Sequence, residues 1–168
     1  MAIGDIFLKV EGSRSGPIKG EAQDMLHKSE IDVLAWTWGM QGNASATATA
    51  ASGRAGANQV ALKELVVTKL VDRASTGLMS ALRTNEPIKQ AVLTARKAGG
   101  AKAVEYLTIT LSNARISALE LEGVGGGGQA AIERVSFAFQ KITVEYRGQS
   151  ESGGSSATSQ FETDISPK

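Results

Sequence analysis

The fold turns on Glu30–Met40, EIDVLAWTWGM, and on the segment fused to its end, Gln41–Asn58, QGNASATATAASGRAGAN. The first stretch is the most apolar run in the chain. Read with a two-residue period, it places Leu34, Trp36, Trp38 and Met40 on one face and Ile31, Val33 and Ala35 on the other. A strand apolar on both faces is covered on both sides. Each buried tryptophan contributes roughly 4–6 kcal/mol at ~25 cal/mol per Å² over ~150–250 Å², so Trp36 and Trp38 are the first candidates for the core. The second stretch has no large apolar side chain and one charge, Arg54. Ordering its backbone costs on the order of 20–35 kcal/mol, which alanine and threonine side chains do not offset within one subunit. Two readings stand: a flexible loop, or an arm ordered by a neighbouring molecule.

Outward from this stretch the chain reads as strands. Ile6, Leu8 and Val10 alternate with Asp5 and Lys9, as in a half-buried strand. A turn at 11–17 leads to a short strand near Ile18–Glu21. Val60–Asp72 is again strand-like. Ala74–Asn85 is a helix, with Leu78, Met79 and Leu82 on one face, Ser75 or Thr76 as its N-cap and Pro87 beyond its end. Ile88–Lys97 and Ala103–Leu121 flank a double glycine and form a hairpin, the second strand bending near Ala114–Ser117. After the loop Gly123–Gly128, Ile132–Arg147 shifts its apolar phase from Val135, Phe137 and Phe139 to Ile142, Val144 and Tyr146, the mark of a bulge or a change of buried face. The expectation is a mainly β chain: an antiparallel β-barrel of about seven to eight strands with one flanking α-helix. It forms a single domain over 1–147, with 41–58 as an extended arm. Residues 148–168 form a flexible Gly/Ser-rich tail with a short strand near Phe161–Ile165.

Composition narrows the function. The chain has 168 residues, 18 basic and 17 acidic side chains and no cysteine. A net charge of +1 gives no general attraction to nucleic acid or anionic membranes. Disulfides and thiolate metal sites are excluded. Residues 1–20 lack a basic start followed by an apolar run, so no secretory signal is visible, and no run reaches the ~18 apolar residues of a membrane helix.

The residues that could carry chemistry do not form a catalytic constellation. His27 is the single histidine; its spacing of three from Asp24 and Glu30 does not suit a metal site on a strand, and it reads as a surface or turn histidine. No serine sits in G-x-S-x-G. Glu120 and Glu122 share a strand face as solvated carboxylates. Gly123–Gly128 matches G-x-G-x-x-G, but a strand comes next where a dinucleotide site needs a helix. The expectation is no enzyme, no cofactor and no metal.

Several segments together resemble one family. EIDVLAWTWGM, LVVTKLVDRASTGLMSAL, LTARKAGGAKAVEYLTITLSNARISAL and ERVSFAFQKITVEY are similar to the haemolysin-coregulated proteins (Hcp) of bacterial type VI secretion, in the same order and over most of residues 3–147. The combination of His27 with EIDVLAW, and of RKAGG with VEYL, is the specific part. The insert around Ser13–Gly16, the run Arg83–Gln90 and the tail fit less closely.

The resemblance implies a β-barrel subunit of a hexameric ring with an open centre. Such rings stack into the inner tube of a contractile injection machine, inside a sheath and behind a spike protein, with effectors in the lumen. It implies a cytoplasmic protein secreted by the apparatus without a signal peptide, with itself, sheath, spike and effectors as partners. The contact residues are then the arm, Gly42, Asn43, Ala44, Ser45, Thr47, Thr49, Arg54 and Asn58. The polar face of one strand, Thr108, Thr110 and Ser112, is the candidate lumen wall, with an ordinary solvent face as the other reading. The competing functions are a phage-type tail-tube subunit and a small-ligand-binding β-barrel.

Overall fold

The computed structural model describes residues 6–42, 60–97, 104–128, 130–149 and 155–165. In chain order the elements are β1 (Ile6–Gly12), β2 (Gly16–Ile18), β3 (Ile31–Asp32), β4 (Ala35–Thr37), β5 (Met40–Gly42), β6 (Val60–Leu62) and β7 (Leu65–Leu70). Then come α1 (Ala74–Arg83), β8 (Ile88–Lys97), β9 (Val104–Glu122), β10 (Ile132–Gln149) and β11 (Ser155–Asp164). Among these residues every pairing is antiparallel. The main sheet runs β2-β1-β8-β9-β10-β7-β4, with β3 on β1 and β11 on β10.

β10 is the spine. One edge pairs with β9 from Ile132↔Glu122 to Tyr146↔Leu107, while the other pairs with β7 over its first half and β11 over its second. The expected bend in β9 is a bulge: Ser136 pairs Ala118 and Phe137 pairs Ile116, which leaves Ser117 as the extra residue. The expected change of buried face also occurs, and it crosses three strands at once. Buried positions run Phe139 to Ile142 in β10, Ala114 to Leu111 in β9 and Ile88 to Ala91 in β8, each a step of three where alternation gives two. Gln140, Asn113 and Lys89 lie along this crease and are exposed. Asn113 takes φ 49°, a left-handed conformation that asparagine tolerates better than most residues.

The opening stretch links the two margins of the sheet, which among the described residues does not close into the expected barrel, and it does so in a way that periodicity misread. It is three short strands, β3, β4 and β5, with a bend at Leu34. Val33 N–H donates to Ile6 O of β1 at 3.0 Å, and the next residue, Leu34, donates to Thr68 O of β7 at 2.8 Å. The chain itself thus carries the sheet from one margin to the other, although β3 and β4 do not pair with each other among the described residues. At the crossing the inward phase slips: Ile31 and Val33 are buried, Trp36 and Trp38 pack half-buried against the core, and Leu34, Ala35 and Met40 are exposed. The two apolar faces are one core face with a slip, and neither tryptophan is at the centre. That place belongs to Leu8, Ile31, Leu65, Ile109, Leu111, Phe137 and Ile142, each almost wholly buried.

Other boundaries moved. β2 precedes the expected Ile18–Glu21, and Val60–Asp72 divides at Lys63–Glu64 into β6 and β7. The strand expected at Phe161–Ile165 begins at Ser155, inside the expected tail. Its polar residues suit an exposed edge, where pairing with β10 rather than burial holds it. The hairpin turn expected at Ala98–Ala101 lies outside the described residues.

The helix is capped by neighbours of the expected residues. Neither Ser75 nor Thr76 is its N-cap; the Asp72 carboxylate accepts from Ala74 N–H (2.9 Å), and Ser75 Oγ accepts from Asp72 N–H (3.0 Å). Its end is a Schellman turn rather than a proline stop: Glu86 N–H donates to Ala81 O and Asn85 N–H to Leu82 O, with Asn85 at φ 53°. α1 buries Ala74, Leu78 and Ala81. Beneath its first turn, Lys69 and Glu133 form an ion pair at 2.6 Å with neither side chain exposed. Lys69 also reaches Asp72 at 2.8 Å, and Ser75 Oγ donates to Glu133 Oε2 at 2.7 Å, while Glu133 Oε1 has no hydrogen-bond partner. Beyond the helix, buried Glu86 accepts from Arg14 N–H, Ser15 N–H and Ser15 Oγ at 2.6–2.7 Å, tying the β1–β2 turn to the post-helix loop.

Candidate assembly surfaces

The first surface is the stem of the arm. β5 and β6 pair with each other (Met40↔Leu62, Gln41↔Ala61, Gly42↔Val60) and, among the described residues, with no other strand. Lys63 N–H donates to Gly39 O at their base. The ribbon leaves Met40 48% and Val60 55% exposed. An isolated two-stranded ribbon is marginal in water, so this one gains from a surface to lie against. Of the arm residues, Gly42 sits at the ribbon's outer end; Asn43, Ala44, Ser45, Thr47, Thr49, Arg54 and Asn58 lie outside the described residues.

The second surface is broader than the sequence showed. Thr108, Thr110 and Ser112 stand half-buried on one face of β9. Directly opposite residues share a face, so register fills in the rows. Ser112 lies between Gln90 and Lys141, Thr110 between Val92 and Thr143, and Thr108 between Thr94 and Glu145. Glu11 and Lys9 extend these rows on β1, and Asp164, Glu162 and Gln160 on β11. The result is a largely polar face, five strands wide in the Ser112 and Thr110 rows, whose other face is the core; the Thr108 row ends on β8 and β1 at buried Thr94 and Phe7. On it Lys141 and Glu162 pair at 2.8 Å, and Thr143 Oγ1 donates to Glu162. The pair raises the Lys141 ammonium above its ordinary range and lowers the Glu162 carboxyl, each through their mutual hydrogen bond. The alternation of Lys141, Thr143 and Glu145 against Ile142 and Val144 was the legible signal for this extension.

The third feature is His27, which lies in the turning segment before β3, as one expected reading had it, but is buried rather than at the surface. Its ring stacks on Phe7 (4.4 Å between centroids, 7° between planes). Nδ1 lies 2.8 Å from Glu30 Oε2 and Nε2 2.7 Å from Glu105 Oε1. Asp24 turns away from the ring to Arg96, 2.6 Å distant, and accepts from Leu26 and His27 N–H. The Arg96 guanidinium and these amides hold the Asp24 carboxyl below its ordinary range. Glu105 is 78 residues from His27 in sequence, so no local spacing revealed the pairing.

The whole arrangement has close relatives. A profile of the family "Type VI secretion system effector, Hcp" matches residues 7–146. The protein hcp1 of Pseudomonas aeruginosa is 39% identical over 149 residues, covering 89% of this chain and 86% of that protein. The crystal structure of Hcp1 from Salmonella typhimurium superposes with a TM-score of 0.70 at 31% identity, over 95% of this chain and 93% of that one. A type VI secretion system effector from Yersinia pestis superposes with a TM-score of 0.72 at 26% identity, over 95% and 99%. The profile and the Pseudomonas relative extend across the barrel, both halves of the spine and the β3–β4 crossing, and on that ground the chain belongs to the Hcp family of type VI secretion.

Proposed function

We propose that this chain is the structural subunit of a type VI secretion inner tube. Six copies close a ring with an open centre, rings stack, and sheath contraction drives the tube outward behind a spike protein. Effectors ride in the lumen. The protein is made in the cytoplasm, leaves through the apparatus, and contributes shape and contacts rather than catalysis. The observation that carries this reading is the family match over residues 7–146.

The geometry supports particular assignments. The stem, with Met40 and Val60 exposed, presents residues 42–58 to a neighbouring subunit or the next ring. The polar wall centred on Thr108, Thr110 and Ser112 faces the lumen, where hydroxyls and paired charges keep a water-filled channel wetted. A ligand-binding barrel is disfavoured because Phe137, Leu8, Leu65 and Ile109 fill the interior.

Negative-stain microscopy of the purified protein tests the assembly. Six-fold rings are expected at micromolar concentration, and a uniformly monomeric population would refute the tube reading. Thr110→Cys labelled with maleimide gold is expected to place density at the ring centre; density on the outer rim would reject the lumen assignment while leaving the ring intact.

A further inference from the structure

The sheet has two margins, and the core face runs out at one of them. A single row crosses five strands there: Leu8, Leu93, Ile109, Val144 and Phe161. Leu8, Leu93 and Ile109 are almost wholly buried, Val144 is half-buried, and Phe161 on β11 is 42% exposed. The adjacent row ends alike, with Ala95 buried and Tyr146 46% exposed, and Ile165 stands 45% exposed just past β11. Alternation marks these side chains for burial, yet the packing of one copy leaves them open.

The polar face of the same margin is acidic. β11 carries Glu162 and Asp164 and no basic residue. Lys141 of β10 engages Glu162, while Asp164 has no ion pair among the described residues. The Thr110 row, which ends here at Glu162, reaches Lys9 at its other end. The β1–β2 register, carried one step beyond Val10↔Ile18, sets Lys19 next to Lys9, while Pro17 stands outside Glu11. Lys9 and Lys19 are exposed and without an ion pair among the described residues.

The β1–β2 margin is apolar as well as basic. β2 and β3 both pair with β1, so the loop joining them belongs to this margin, with Met25 95% and Leu26 75% exposed. Its exposed charges are Lys28 and Glu21, since Asp24 is held by Arg96 and Glu30 by His27. The loop lies at the level of Tyr146: His27 stacks on Phe7, whose row ends on β10 at Glu145, the neighbour of Tyr146.

We propose that the β11 margin of one copy seats on the β1–β2 margin of the next. Glu162 and Asp164 meet Lys9 and Lys19, and the 20–30 loop lays Met25 and Leu26 over Tyr146 and Phe161. Two different patches that match make a heterologous contact, which closes a ring when the rotation allows. This seam rests on the ring reading above and adds which margins meet. It also joins the polar faces of successive copies edge to edge.

Two double variants each reverse one margin. Lys9→Glu with Lys19→Glu makes both margins acidic, and Glu162→Lys with Asp164→Lys makes both basic. Native mass spectrometry at fixed salt, with one variant isotopically labelled, counts the copies. Each variant alone is expected to keep the wild-type circular dichroism spectrum and lose rings by on the order of ten-fold or more. An equimolar mixture recovers the wild-type yield as rings with equal numbers of each. The chain has no cysteine, so Lys19→Cys combined with Glu162→Cys and a short bis-maleimide gives an independent reading, a covalent ladder up to the full ring. Full ring yield from either charge variant alone, a mixture that stays monomeric, or rings without the ladder overturns the seam. A wild type without rings overturns the ring reading itself.

Discussion

Replacing Lys69 by methionine removes the cation from a place water does not reach. Lys69 and Glu133 are both fully buried, and Glu133 already leaves Oε1 without a partner. After the substitution Glu133 keeps the Ser75 hydroxyl alone. An uncompensated buried carboxylate costs about 3–5 kcal/mol. For a domain of this size that is a fall in midpoint of roughly 6–20 °C. The reverse substitution, Glu133→Leu, is milder at about 1–3 kcal/mol, because Lys69 still has Asp72 at 2.8 Å. Lys69→Met combined with Glu133→Leu removes both charges and returns to within about 1 kcal/mol of wild type. Urea unfolding at one fixed protein concentration measures all three, since assembly adds to apparent stability. A Lys69→Met loss below about 1 kcal/mol, or a double variant as unstable as the two single losses combined, would refute the reasoning.

Three further substitutions test close approach and acid response. At Gly20 an added Cβ falls 2.6 Å from Glu30 O and 2.8 Å from Ile31 Cα, both backbone atoms, so Gly20→Ala loses about 1–3 kcal/mol. At Gly77 the nearest atom is the Ile18 Cγ2 methyl at 3.1 Å, and the helix gain of alanine, roughly 0.5–1 kcal/mol, offsets it; thermal melts separate the two. Glu86 is held below the ordinary carboxylate range, first by the Ser15 hydroxyl and then by the Ser15 and Arg14 amides. A depressed carboxyl stabilises the fold above its unfolded value of ~4.3 and loses that contribution as pH falls through its folded value. Glu86→Gln is therefore about 1–3 kcal/mol less stable near neutrality, and the gap closes on acidification; a gap independent of pH in denaturant melts would contradict the assignment.

Periodicity read well wherever neighbours in sequence decide the outcome. The β8–β9 hairpin, the bend in β9 and the phase change in β10 were legible because alternation survives on both sides of each break. It misled at Ile31–Met40, where an unbroken apolar run conceals a slip: Leu34 is apolar yet outside, since the strand there leaves one partner for another. Trp36 and Trp38 were overvalued because area alone ranks them first, while smaller aliphatic residues on longer strands hold the centre. The polar wall was seen as one strand of three residues, because its other rows come from β1, β8, β10 and β11. His27 was misjudged for the same reason, its second carboxylate lying on a distant strand. The Asp72 carboxylate takes the amide that local preference gave to Ser75 or Thr76, and Asn85 ends the helix ahead of Pro87.

The position of β10 governs when the protein becomes a protein during synthesis. β7 must wait for Ile132–Phe137, β9 for nearly the whole of β10, and β1 for Ile88–Ala95. Pairings between such distant segments close slowly, and a chain still on the ribosome before residue 132 lacks its spine and leaves β7 with β4 on one edge alone. Its apolar strands are then shielded by whatever else the cell provides. A half-made copy presents no finished surface to its siblings, so growth of a ring draws on completed chains.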